Sequence, residues 1–166
     1  MTLEERFAAL EARVRVLEDH VAILNLLAAY GPAVDAGRST AAARLWTEDG
    51  VYDVGGLLRT QGHSDLTALY EAELHQRLIH QGCAHLTAPP QIRVDGDSAN
   101  AVAHSFIVLR NPDGEDGYRV WRASANHWRL ARTPVGWRII ERFNRVLDGS
   151  DESHAVLARL LDIDHH

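Results

Sequence analysis

The chain has 166 residues, 46% of them hydrophobic and 24% charged, enough for one real core and too few for two, so a single domain over 1–166 is expected. Twenty-three acidic against seventeen basic residues give a formal charge of −6, and no Lys/Arg cluster tracks a surface as phosphate contacts would, which argues against nucleic acid. The most apolar stretch, Val21 to Tyr30, is interrupted by Asn25 and falls short of the roughly twenty residues of a membrane span.

The opening Met1-Thr2-Leu3-Glu4-Glu5-Arg6 has neither the basic start nor the continuous apolar run of a secretion signal, and Cys83 is alone. A cytoplasmic protein without membrane contact is the expectation. From Leu3 the apolar positions Leu3, Phe7, Leu10, Val14, Leu17, Val21 and Leu24 are spaced alternately four and three apart, one stripe along a helix that ends near Tyr30-Gly31-Pro32. Such a stripe most commonly packs on the chain's own core. Its strict heptad spacing also fits a seam against another subunit.

Ser39 reads as the N-cap of a short helix through Trp46, and Glu48-Asp49-Gly50 turns the chain into a strand, Val51 to Val54, bounded by Gly55-Gly56. Ser64 is placed to cap a helix from Asp65 to about Ile79, after which the loop 81–84 delivers His85. Beyond Pro89-Pro90 the pattern becomes strand-like. Turns at Asp95-Gly96-Asp97, Asn111-Pro112-Asp113-Gly114 and Thr133-Pro134-Val135-Gly136 separate four strands, Gln91–Val94, Ala99–Arg110, Tyr118–Arg132 and Trp137–Val146. These form a meander, and a short helix from Glu152 to Leu161 follows. Helices first and a curved, mainly antiparallel sheet after them define an α+β fold, with a cavity between the layers. The closing His165-His166 is given no role.

The order of elements, with Ala33-Val34-Asp35-Ala36-Gly37, Leu45-Trp46-Thr47-Glu48-Asp49-Gly50-Val51-Tyr52, His85-Leu86-Thr87 and Gly136-Trp137-Arg138-Ile139-Ile140, resembles the SnoaL-like branch of the nuclear transport factor 2-like superfamily. That resemblance covers nearly the whole chain and implies a cone-shaped α+β barrel. Within the branch it is most similar to the scytalone dehydratase, bile-acid 7α-dehydratase and hexachlorocyclohexane dehydrochlorinase group, which keep an Asp after the first helix and a His before the main sheet. Asp35 and His85 occupy those places. The resemblance further implies a catalytic Tyr at Tyr30, pocket residues in Ser124-Ala125-Asn126, an active-site Arg at Arg142, and a homotrimer.

Chemically, a carboxylate that accepts from one imidazole nitrogen fixes the tautomer and raises the basicity of the other. Asp35 would orient and His85 would act as base, with the Tyr30 phenol as a hydrogen-bond or proton donor. Asn126 and Ser124 share one face of a strand that Trp128 and Leu130 continue as apolar wall. Arg142, expected to face with Ile140, would stabilise a developing anion, and His104 is a reserve candidate for the pocket. His75, His80 and His85 recur every five residues, about 140° apart on a helix, and do not make a metal face. No nucleotide loop, Walker lysine or nucleophile elbow is present. The expectation is a lyase without metal or other cofactor, acting by dehydratase-like elimination on a small, cyclic, largely apolar molecule such as a steroid or polyketide. An isomerase or cyclase using the same pair, or a non-catalytic ligand-binding or interaction module, is the alternative.

Overall fold

A computed structural model describes residues 1–112 and 116–161; Asp113-Gly114 of the expected turn Asn111-Pro112-Asp113-Gly114 and His165-His166 lie outside the described residues. The first helix, α1 (Leu3–Ala28), starts on a capping box in which Thr2 accepts from the Glu5 backbone and the Glu5 carboxylate accepts from Thr2 N. Pro32 ends it, because an imino nitrogen offers no hydrogen to the Ala28 carbonyl. The chain restarts at once as α2 (Tyr30–Asp35), followed by α3 (Ser39–Ala43). Ser39 is the first residue of α3 rather than its cap, and its side chain is buried.

The strand read as Val51–Val54 is longer, β1 (Trp46–Val54), and pairs with β2 (Leu58–Gln61), which the sequence reading missed. The expected helix 65–79 is two helices, α4 (Gly62–Glu71) and α5 (Glu73–His80), broken at Ala72, whose ψ of 140° is extended. The Ser64 cap is corrected to Gln61. Cys83 and Ala84 of the loop expected before His85 are instead the start of β3 (Cys83–Thr87). Then come β4 (Gln91–Asp95), β5 (Ser98–Arg110), β6 (Tyr118–Thr133) and β7 (Gly136–Val146), the meander expected, and α6 (Asp151–Ala158), capped by Ser150.

The seven strands make one sheet in the order β2-β1-β7-β6-β5-β3, with β4 also paired to β5 and only β1–β7 parallel. Helices packed on this curved, mostly antiparallel sheet are the α+β cone. The core joins Ile23, Leu27, Val34 and Leu66 from the helices to Trp128, Leu130, Trp137 and Ile139 from the sheet. A bulge sets the phase of β7: Leu130 pairs with Ile139 but Arg129 with Glu141, so Ile140 is an extra residue. Arg142 is therefore buried on the same face as Ile139 and Trp137, not with Ile140 as strict alternation implied. The helix α6 covers part of the opposite face, where Arg159 reaches His127 at 2.7 Å.

The apolar stripe of α1 does not pack on the core. Leu3, Phe7, Leu10, Leu17 and Val21 are each more than half exposed, and α1 is tied down through other residues, the buried Ile23 and Leu27.

Candidate active site

The helical layer and the inner face of the sheet enclose a cavity of about 210 Å³. Three tyrosines, Tyr30, Tyr52 and Tyr70, form its base together with Arg142, and the exposed Leu74, Leu86 and Trp121 line it towards solvent. Gly31 explains how α2 comes so close to β3: a Cβ there would run into the carbonyl oxygen of His85. That contact brings the end of α2, Asp35, against the middle of β3.

Asp35 and His85 are joined twice. The His85 ring Nδ1 lies 2.6 Å from Asp35 Oδ1, and the His85 backbone N–H donates to Oδ2 at 2.8 Å. An ionised carboxylate can only accept, so this contact favours the tautomer with its proton on Nδ1, and Nε2 has no protein partner among the described residues. Partial burial opposes ionisation of Asp35, but the hydrogen bonds from the His85 ring and backbone outweigh it and hold the carboxyl below its ordinary range.

Cys83 completes a cluster with this pair, its Sγ 3.7 Å from Asp35 Oδ1 and 4.0 Å from His85 Nδ1. The three donor types are those of a metal site. As arranged the three are spent on one another: both Asp35 oxygens accept from N–H donors of His85, and burial followed by the Asp35 charge pushes the Cys83 thiol up to about 11, so it stays protonated at neutral pH.

At the base the Arg142 guanidinium is 3% exposed and is stacked on three rings, with Cζ 4.5 Å from the centre of Tyr30, 4.7 Å from Tyr52 and 5.3 Å from Trp128. Its Nε donates to Asn126 Oδ1 at 3.0 Å, while Nη1 has no partner and no carboxylate pairs with it among the described residues. A buried cation without a counter-ion is costly, and it makes the cavity base electropositive. The Tyr70 hydroxyl beside it is also buried without a partner. Burial pushes the Tyr30 and Tyr70 phenols well above their ordinary value, so both stay protonated.

Of the other residues singled out in the sequence, Ser124 lines the cavity and accepts from Arg122 Nε at 3.2 Å. Asn126 lies behind the wall, fully buried: its Oδ1 accepts from Arg142 and from Asn144 Nδ2, and its Nδ2 donates to Ser105 Oγ at 2.7 Å. It positions Arg142 rather than touching the cavity. The expectation for His104 is corrected: it is exposed on the outer face of β5, paired with Ala125, because Ser105 opposite Ser124 takes the inward place. His127 also faces outward, and burial followed by the Arg159 charge lowers its pKa to about 4.

The sequence reading missed Tyr52, Tyr70, Ser105, Asn144 and His75 as cavity residues. Asn144 was legible by extending the face of Arg142 two residues. His75 was not, since the break at Ala72 turns its helix: it binds the Tyr70 carbonyl through Nδ1 at 2.9 Å, and its ring centre is 5.4 Å from that of His85. Burial lowers its pKa below the ordinary histidine value.

A cone of this kind, with helices over one face of a mixed, mostly antiparallel sheet and a pocket between them, is the nuclear transport factor 2-like fold. A nuclear transport factor 2-like protein with a cystatin-like fold from Novosphingobium aromaticivorans superposes with a TM-score of 0.85 at 40% identity, over 89% of this chain and 94% of that one. A Mycobacterium tuberculosis protein of unknown function follows at a TM-score of 0.68 and 25% identity, over 85% and 91%. Residues 15–143 match the SnoaL-like domain model, and the chain belongs to that family. An uncharacterised Mycobacterium tuberculosis protein is 29% identical over 132 residues, 78% of this chain and 86% of its own length.

Proposed function

We propose that this protein is a cofactor-independent lyase that eliminates water from a small, cyclic, largely apolar molecule, with His85 as base and Asp35 as its orienting partner. The observation that carries this reading is the doubly held Asp35 against His85 Nδ1 at 2.6 Å, which leaves Nε2 as the free base of a residue on the cavity wall.

In this scheme His85 Nε2 takes a proton from the carbon next to a carbonyl, and the C–H electrons move towards that carbonyl oxygen. Arg142, whose guanidinium charge lies at the cavity base, stabilises the enolate so formed. The enolate then re-forms the carbonyl, a C=C bond forms, and the β C–O bond breaks. Tyr30 donates its phenolic proton to the departing hydroxyl, which leaves as water, and the proton held by His85 restores the phenol. A cavity of about 210 Å³ is smaller than the 300–1,000 Å³ typical of drug-sized ligands. One or two rings fit inside it, and a larger steroid or polyketide would present one end, with the rest on the apolar rim of Leu74, Leu86 and Trp121.

His75 favours a second reading, an isomerase. With Nδ1 spent on the Tyr70 carbonyl, its Nε2 is a second acceptor near His85, so a proton removed at one carbon has a route back to another. Incubation with cyclic β-hydroxy ketones in deuterated water separates the readings. Loss of water marks elimination, and deuterium uptake at constant skeleton marks isomerisation. His85→Ala is expected to lose the reaction, and a variant that keeps the wild-type rate would refute the assignment. Ligand binding unchanged by Asp35→Asn, with no turnover by either protein, would point to a binding module.

A further inference from the structure

The exposed face of α1 is the largest feature of the molecule that the cavity does not use. Every residue from Met1 to Glu18 is exposed, so beyond its capping box the first four turns of α1 bury no apolar side chain. A free helix of about 12–15 residues is marginal in water, and helices in proteins owe their stability to packing of an apolar face. Here that face is Leu3, Leu10, Leu17 and Leu24 alternating with Phe7, Val14 and Val21. In a heptad the leucines fall at d and the others at a, over about 32 Å of helix at 1.5 Å per residue.

The residues beside the seam carry the second observation. The e positions are Glu4, Glu11 and Glu18, and the g positions are Arg6, Arg13 and His20. In a parallel pair of helices each g residue faces the e residue five positions on in the partner, which places Arg6 against Glu11 and Arg13 against Glu18. An antiparallel pair would set Arg against Arg and Glu against Glu. None of these four residues has an ion pair within the described residues.

The attachment of α1 leaves the seam open. Asp19, at the f position opposite the seam, binds Arg132 through both oxygens at 2.7 and 2.6 Å and Trp137 Nε1 at 3.0 Å, and the buried Ile23 follows one turn on. The a–d face therefore points away from the domain. Five acidic against three basic residues between Leu3 and Leu24 oppose adsorption on an anionic membrane.

We propose that the exposed a–d face of α1 is the interface of a parallel, two-stranded coiled coil with a second copy of this chain. Valine at a with leucine at d favours two strands over three. Sedimentation equilibrium of the full chain at micromolar concentration tests it. The wild type is expected as a dimer and Leu10→Lys combined with Leu17→Lys as a monomer, with near-ultraviolet circular dichroism showing the domain intact in both. Arg13→Glu is expected to weaken the dimer about tenfold, since it turns two attractive pairs repulsive, and adding Glu18→Arg to restore it. A trimer, or an assembly that survives the double lysine variant, would overturn the proposal. So would an Arg13→Glu dimer as tight as the wild type or tighter, since only the parallel pairing sets Arg13 against Glu18. A monomeric wild type would overturn it too and leave the stripe to a different protein.

Discussion

Two regions of this molecule invert the ordinary rule of burial in opposite senses. At the cavity base polar groups are sealed from water, Asn126 at 0% and Arg142 at 3% exposure, while along α1 leucines stand in solvent, Leu17 at 65%. Each inversion is what the proposals above assign to a partner outside the single chain. Under the proposed function the partner at the base is a small molecule that develops negative charge as it reacts. Along α1 it is an apolar stripe of matching spacing. The difference lies in enclosure: the base is preorganised by hydrogen bonds before a ligand arrives, whereas the helix face waits for its packing.

The two regions respond differently to substitution. The largest effect is expected at the base, where His85→Ala lowers turnover by roughly 10²–10⁴, the range of general acid–base catalysis, without altering the fold seen by circular dichroism. Arg142→Met is expected to lower turnover by about 10²–10³. The same change leaves denaturant stability equal or higher, since it replaces an unpaired buried cation by an apolar side chain. Destabilisation by Arg142→Met would show that the guanidinium is held for structure.

Gly31→Ala drives a methyl into the His85 carbonyl and is expected to cost about 1–3 kcal/mol in urea unfolding, as overpacking does, and to separate the Asp35–His85 pair. The smallest effect is electrostatic and lies on the outer face. A histidine lowered from 6.5 to about 4 stays neutral in the folded chain while the unfolded chain takes up a proton. Stability should therefore fall as pH drops through that interval and level off below it, by about 1–2 kcal/mol after allowance for solvent access, and His127→Gln should flatten the curve.

Much of this was legible in the sequence. The meander strands were read to within about two residues, because each is bounded by glycine turns and long enough to show a period. Tyr30, Asp35, His85, Ser124 and Arg142 were picked out and do line or adjoin one cavity. What failed was phase. The bulge at Ile140 re-aims Arg142, the break at Ala72 brings His75 inward, and His104 fell to the wrong face because the register of β5 on β6 is set by pairing that no single strand reveals. The α1 stripe was recognised, but a periodic pattern cannot say whether its partner lies in the same chain.

The arrangement on which the catalytic reading depends is testable without a substrate. Nitrogen-15 shifts of the His85 ring in the wild-type protein, assigned with a His85→Gln control, report which nitrogen carries the proton. The expected result in mildly alkaline buffer is a proton on Nδ1, held by Asp35, and a bare Nε2 whose shift moves when a cyclic ketone enters the cavity. A ring whose only proton sits on Nε2 would contradict the assignment of His85 as the base.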